Sequence, residues 1–286
     1  MSNHFFINGP AVISFSGGRT SGYMLWRILQ AHGGTLPDDV LVLFQNTGRE
    51  MPATLDFVQE CSARWGVPII WLEYDRKPGG PTYRVVNHNS ASRSGEPFRM
   101  MIDAKSMLPN PVSRFCTVEL KIRTAKRYIV AEREWKRWTN IVGLRADERR
   151  RVERATDPVR NKKDRWDVRC PLAEAGITVS DVAAFWREQP FDLRLKGKWE
   201  GNCDGCFLKS RGALSRIMLD YPERAQWWAD QEAVPRGFRG GATFRADRED
   251  YATMLRVVRD QGSFPFDETM VEGGQECGME CGMEYE

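Results

Sequence analysis

Three stretches of the chain carry residue types and spacings that could do chemistry. Ser16-Gly17-Gly18-Arg19-Thr20-Ser21 follows a short apolar run and precedes a helical pattern. Two glycines let the backbone turn sharply and aim its N–H groups at an anion. The helix that follows adds its positive end, and Ser16, Thr20 and Ser21 add hydroxyl donors. The loop lacks the ending of a Walker loop and the three-glycine spacing of a dinucleotide fingerprint, so a plain strand-to-helix turn is its simplest alternative use. Cys203-Asp204-Gly205-Cys206 is a C-x-x-C beside Gly201 and Asn202, a turn that can set two thiolates on one metal or form a redox pair. Glu276-Cys277-Gly278-Met279 recurs as Glu280-Cys281-Gly282-Met283, which puts two further thiols in an acidic tail.

The elements that must position these residues alternate. Residues 11–15, 40–45, 67–74 and 139–144 read as strands, most of them continuous apolar runs. Between them, residues 21–31 place Met24, Leu25, Ile28 and Leu29 on one helical face. A second helix begins at Pro52, carries Leu55, Val58, Cys61, Ala63 and Trp65, and ends at Gly66. A third covers about 117–134. Apolar strands alternating with helices predict a doubly wound α/β domain with a parallel sheet over residues 1–170. Residues 75–111, rich in Gly, Pro, Ser and Asn, read as a long excursion with some helix near 99–107. A helical part over 171–265 follows, opening with a cap at Thr178 and Asp181, and residues 266–286 form a cysteine-bearing tail. Trp227 and Trp228 read as core of the helical part, and Cys61 as core of the second helix.

The chain has 286 residues, 41% hydrophobic and 28% charged, enough for one sizeable core and an appendage. Its longest apolar runs are too short to cross a bilayer, and no basic segment leads into a long apolar one, so a cytoplasmic location is expected. There the seven cysteines are reduced thiols, metal ligands or nucleophiles rather than disulfides. His4, His32 and His88 fall in no base or ligand motif. The net charge of +3 is modest, but Arg145, Arg149, Arg150, Arg151, Arg154, Arg160, Lys162 and Lys163 lie close together. Such a run is a solvated face or a phosphate-binding lip for a nucleotide or a polynucleotide.

Four blocks taken in order carry a family resemblance: Ser16-Gly17-Gly18-Arg19-Thr20-Ser21, then Asn46-Thr47-Gly48-Arg49-Glu50-Met51-Pro52, then Cys116-Thr117-Val118-Glu119-Leu120-Lys121, then Gly143-Leu144-Arg145-Ala146-Asp147-Glu148. Over residues 11–210 the sequence resembles the PP-loop superfamily of adenine nucleotide α-hydrolases, and within it the phosphoadenylyl-sulfate reductase family. The resemblance implies that residues 16–21 hold the phosphosulfate of phosphoadenylyl sulfate (PAPS) or adenylyl sulfate (APS), or the pyrophosphate of ATP, with Mg2+ if ATP is the substrate. It places Phe44, Asn46 and Thr47 near the adenine and Lys121 and Arg145 at the nucleotide's oxyanions, where Arg can bind bidentately, and it counts Asp147 among the nucleotide-binding residues. The family usually has Asp where this chain has Asn46.

The resemblance also implies a 4Fe–4S cluster, in which Cys116, Cys203 and Cys206 are ligands and Cys170 is either the fourth or absent from an open-iron cluster. Zinc, a redox pair, or no metal with Cys116 and Cys170 buried as small hydrophobes are the other uses of these residues. Family reductases carry a nucleophilic cysteine in a C-terminal Glu-Cys-Gly-Leu-His motif, which maps onto Cys277 or Cys281 here, without the His. That thiolate attacks the sulfate sulfur, and an external thiol such as thioredoxin resolves the product. A different reaction class is also open: ATP cleavage that adenylates a nucleic acid for sulfur transfer, as in thiolation or phosphorothioation. A third is a nucleotide sensor that binds ATP without turnover.

Overall fold

A computed structural model describes residues 3–161, 164–201, 203–235 and 243–261. Its sheet has six strands: β1 (Ala11–Ser14), β2 (Val40–Asn46), β3 (Ile69–Glu73), β4 (Arg84–Val86), β5 (Trp138–Ile141) and β6 (Trp166–Arg169). They lie in the order β4-β3-β2-β1-β5-β6, and every pairing is parallel except the antiparallel edge β3–β4. The chain winds outward from β1 through β2 and β3, then crosses back to β5 on the other side of β1. The carboxyl ends of β1 and β5 therefore flank a topological switch point, where open α/β sheets bind ligands.

Helices cover both faces, as the continuous apolar strands require. Ala11, Ile13, Val40, Val42 and Phe44 point to one face, packed by α1 (Arg19–Ala31) and α2 (Pro52–Trp65). Val12, Leu41 and Leu43 point to the other, packed by Ala125, Tyr128 and Ile129. The helix expected over 117–134 begins as α4 (Phe115–Thr117), widens into a π-helix (Val118–Arg123) and resumes as α5 (Thr124–Glu132). Such widened turns are uncommon and often sit at functional sites.

Two parts of the excursion are ordered: β4, and α3 (Glu96–Lys105). The short α6 (Arg149–Thr156), α7 (Pro158–Asn161) and α8 (Pro171–Glu174) surround β6, a strand that the sequence pattern did not reveal. Next, α9 (Val179–Glu188) is held by the expected Thr178–Asp181 capping box and packs Val182 and Trp186 into the α1–α2 side of the sheet. The Trp186 indole donates to the Arg19 carbonyl at 2.8 Å. Residues well past 170 thus belong to the sheet's own core.

The remaining helices, α10 (Arg211–Asp220), α11 (Pro222–Ala233) and α12 (Tyr251–Gln261), build a second core with α3 around Phe98, Phe207, Trp228, Phe244 and Tyr251. Trp228 is buried there as expected, while Trp227 lies at its edge. Among the described residues no helix is long and apolar enough to cross a membrane.

Candidate active site

The loop after β1 is shaped for close backbone approach. Gly17 has φ +79, and a Cβ there would lie 2.7 Å from Thr54 Cγ2 and 3.2 Å from the Phe44 ring. Only glycine fits both the conformation and the space. Ser21 Oγ donates to the Gly18 carbonyl at 2.9 Å, accepts from the Ser16 N–H at 3.2 Å and lies 3.0 Å from Ser16 Oγ. These bonds fold the loop back over the first turn of α1. No side chain caps α1, and no acidic residue lies in its first turn. Its leading amides therefore face the turn without a built-in anion.

Across the switch point, the loop after β5 brings in Arg145. Its Nη1 donates to Thr20 Oγ1 at 3.1 Å, while its Nε donates to Asp147 Oδ1 at 3.1 Å and Glu148 Oε2 lies 3.4 Å from Nη1. Two carboxylates thus hold one guanidinium beside the α1 amides. Arg19 turns the other way, into a bidentate pair with Asp192 at 2.7 and 2.5 Å. Burial raises the pKa of both Glu50 and Cys203, and the charge of Lys121, on the π-helix, is close enough to oppose part of each rise.

At that end lies a buried polar knot. Thr47 donates its N–H and its hydroxyl to the Glu50 carboxylate at 2.9 Å. Burial raises the Glu50 pKa, and Lys121 and the Thr47 bonds offset only part of the rise. Asn46 donates to Glu73 Oε1 at 2.6 Å and to the Ser92 carbonyl at 2.8 Å, and accepts from the Gly48 N–H at 3.1 Å. Glu73 is also gripped by Arg84 at 2.8 and 2.5 Å. This explains the amide at 46: a carboxylate there would sit against the buried carboxylate of Glu73.

The C-x-x-C loop docks onto the same knot through its two middle residues. Asp204, fully buried, accepts from Arg49 at 3.2 and 2.6 Å, from Arg224 at 2.5 Å and from the Trp228 indole at 2.7 Å. Gly205 lies against Trp228, where a Cβ would be 2.3 Å from the indole, and its carbonyl accepts from Tyr251 at 2.5 Å. Cys203 Sγ then lies 3.4 Å from Thr47 Oγ1. Burial pushes the Cys203 thiol well above its ordinary pKa, Glu50 adds to the rise and Lys121 opposes it. Nearby, Lys209 is buried with its ammonium donating to the carbonyls of Trp199 and Gly201, and burial pushes its pKa down to about 8.

The structure therefore brings together Ser16, Gly17, Gly18, Thr20, Ser21, Arg145 and Asp147, and beside them Asn46, Thr47, Lys121 and Cys203. Phe44 is buried behind Gly17, edge-on to Trp71 at 4.9 Å, as part of the wall. Cys116 and Cys203 border the same apolar cluster. Cys170 does not join them: it is packed among Val142, Leu144 and Ala155 at the end of β6. That strand is three positions from β2 in the sheet, about 14 Å away at the usual strand spacing of about 4.8 Å. Among the described residues no group of three or more His, Cys, Asp or Glu converges to hold a metal. Cys170 thus lies apart from the side of the molecule that carries Cys116 and Cys203. Cys277 and Cys281 lie outside the described residues.

Sequence reasoning passed over Asp204, Arg49 and Arg224, which lock the two loops together. The only signal was an acidic residue inside the C-x-x-C and an arginine inside the second block, each with an unremarkable solvent-exposed alternative.

Comparison with known proteins adds to this geometry. The phosphoadenosine phosphosulfate reductase domain matches residues 10–190. The chain belongs to that family. The matched span takes in the whole sheet, the 16–21 loop, the Arg145 loop and α9, and ends before the C-x-x-C. The chain is also 32% identical over 214 residues to the uncharacterized nin region protein ORF290 of Escherichia phage lambda, covering 73% of this chain and 69% of the phage protein.

Proposed function

We propose that this member of the family binds an adenine sulfonucleotide at the switch point and reduces its sulfate to sulfite. The observation that carries the reading is the Arg145 guanidinium fixed at 3.1 Å from Thr20, beside the uncapped first turn of α1. An anion seated there meets backbone N–H groups, hydroxyls and a charged donor at once. The chemistry on that anion is thiol chemistry. A cysteine thiolate of the tail, Cys277 or Cys281, attacks the sulfate sulfur, and the S–O bond to the nucleotide phosphate breaks. The nucleotide leaves as its phosphate and the sulfonate stays on the thiol. A second thiol, from an external reductant of the thioredoxin kind, attacks the cysteine sulfur. Sulfite departs and a disulfide forms, a two-electron reduction balanced by oxidation of two thiols. Arg145 and Lys121 stabilise the charge on the nucleotide as it leaves.

A second reading has its own support in the exposed arginines of α6, which begin four residues after Arg145. In it, ATP with Mg2+ is cleaved between its α and β phosphates, and a nucleic acid is adenylated for sulfur transfer. The deciding experiment incubates anaerobically purified protein with PAPS, APS or ATP and assays sulfite and pyrophosphate, with iron and acid-labile sulfide measured on the same preparation. Sulfite release that disappears in the Cys277→Ser/Cys281→Ser double variant supports reduction. Pyrophosphate from ATP, with no sulfite from either sulfonucleotide, sinks it in favour of the second reading.

A further inference from the structure

Four side chains close β2 at its carboxyl end, and the fold has already engaged three of them. The Phe44 ring packs behind Gly17 on the α1–α2 face. Asn46 is committed to Glu73, the Ser92 carbonyl and the Gly48 N–H, and Thr47 to the Glu50 carboxylate. Gln45 is the exception. It is only 7% exposed, yet its amide forms no hydrogen bond with any described residue, and its Nε2 is fully buried. Strand alternation turns it to the opposite face, where its partner Leu72 and the neighbouring Leu43 belong to the core beneath α5. The π-helix that leads into α5 packs against β2 as well. Buried amides in native folds are paired almost without exception, and each one that is not calls for a reason.

Register places this amide beside the phosphate loop. β1 and β2 run parallel with Ser14 opposite Leu43, and the Phe15 N–H donates to the Leu43 carbonyl at 2.9 Å. Continuing that register by two residues brings Ser16, the first residue of the loop, alongside Gln45 at the strand spacing of about 4.8 Å. What the amide can recognise follows from its own groups, two N–H donors and one carbonyl acceptor in a plane. A phosphate or sulfate oxygen only accepts, and would leave the carbonyl unpaired. A 6-aminopurine presents an N–H next to a ring nitrogen, and a glutamine amide meets that edge with two hydrogen bonds, one in each direction. We propose that Gln45 is the base-reading residue of the site: it turns its amide onto the 6-amino edge of the nucleotide whose phosphates sit in the 16–21 loop, and so selects adenine. This rests on the binding of an adenine nucleotide at the switch point proposed above, and it holds alike for PAPS, APS and ATP.

The test is calorimetry with ADP and with the 5′-diphosphate of purine riboside, which differs from ADP only in lacking the 6-amino group. Three full-length proteins are compared: wild type, Gln45→Met and Gly17→Ala. Methionine keeps the length of the side chain and removes its hydrogen bonds. Wild type should bind ADP at least about fivefold more tightly than the analogue, the low end of what a two-bond contact to a base edge discriminates. Gln45→Met should bind the two alike. Gly17→Ala, which disturbs the phosphates and not the base, should weaken both and keep the wild-type ratio. Without nucleotide, Gln45→Met should melt no lower than wild type, because an apolar chain replaces an amide that has no partner in the fold. Wild type that binds ADP and the analogue equally overturns the proposal while the nucleotide site stands, and needs no variant to be folded. A Gln45→Met protein that keeps the wild-type preference overturns it too; if that variant also melts lower, the amide serves the fold through a held water. Wild type that binds neither nucleotide overturns both this proposal and the reading on which it rests.

Discussion

Asp204→Asn tests the claim that one buried carboxylate joins the C-x-x-C loop to the nucleotide-binding unit. The substitution preserves shape and removes charge. It leaves the guanidinia of Arg49 and Arg224 facing an amide that can donate as well as accept, and Arg49 is only 3% exposed. Removing one partner of a buried ion pair costs about 3–5 kcal/mol, because the other charge stays desolvated. Unfolding entropy of about 2.1 cal/mol/K per residue gives this 286-residue chain about 0.6 kcal/mol/K, so Tm should fall by about 5–8 °C. The melt is followed by circular dichroism, and maleimide labelling of Cys203 is followed by peptide mass spectrometry. Labelling should accelerate, since Asp204 is what holds that thiol against Thr47. A variant that melts within 1 °C of wild type by this estimate and labels Cys203 at the wild-type rate would refute the reasoning. The tie between the two loops would then rest on Gly205, Tyr251 and Trp228 packing instead.

Three further outcomes are expected. Gly17→Ala should destabilise the protein by more than about 1 kcal/mol and weaken ADP binding by calorimetry, because φ +79 and the Thr54 contact at 2.7 Å both oppose a Cβ; adding Thr54→Ser should recover only part, since the backbone strain remains. Asn46→Asp sets a second carboxylate against Glu73, so the folded pKa of the pair rises above the unfolded value. Stability is then retained below the unfolded carboxylate pKa and lost as pH rises through the folded one, so the Tm deficit relative to wild type should be larger at pH 8 than at pH 4.5; an equal deficit at both rules the electrostatic account out. The Lys209 pKa is pushed down to about 8 by burial, against an ordinary value of 10.5. Below pH 8 the folded state carries a charge that the unfolded chain holds more cheaply, and that penalty fades as pH climbs from 8 to 10.5. Lys209→Met should flatten this rise in denaturant-measured stability; an unchanged slope would locate the titration elsewhere.

Local patterns in the sequence are strong where one residue's conformation or one element's periodicity decides the outcome. The 16–21 loop, the apolar strands, the Pro52 start and Gly66 end of α2 and the Thr178 cap are all of this kind, and they made the fold and the glycine turn after β1 legible. Two edge elements were not legible: β4 has 3 residues, and β6 reads Trp166-Asp167-Val168-Arg169, with charges at two of its 4 positions, so neither shows the apolar run that marks a strand such as β1. β6 in turn decided the fate of Cys170, which the pattern of cysteines offered as a ligand and the sheet order carries away from the others.

What the sequence determined by itself is the set of short-range devices: a glycine that alone tolerates a positive φ, hydroxyls next to a helix start, and alternating apolar runs that force a two-sided sheet. What only tertiary structure decided is which distant polar groups share a buried space. Nothing local in Asn46 points to Glu73, and nothing in Asp204 points to Arg49, 155 residues away in sequence. Such pairs are set by where desolvation leaves a charge with no other partner, and that is fixed only when the sheet and the helical part close on each other.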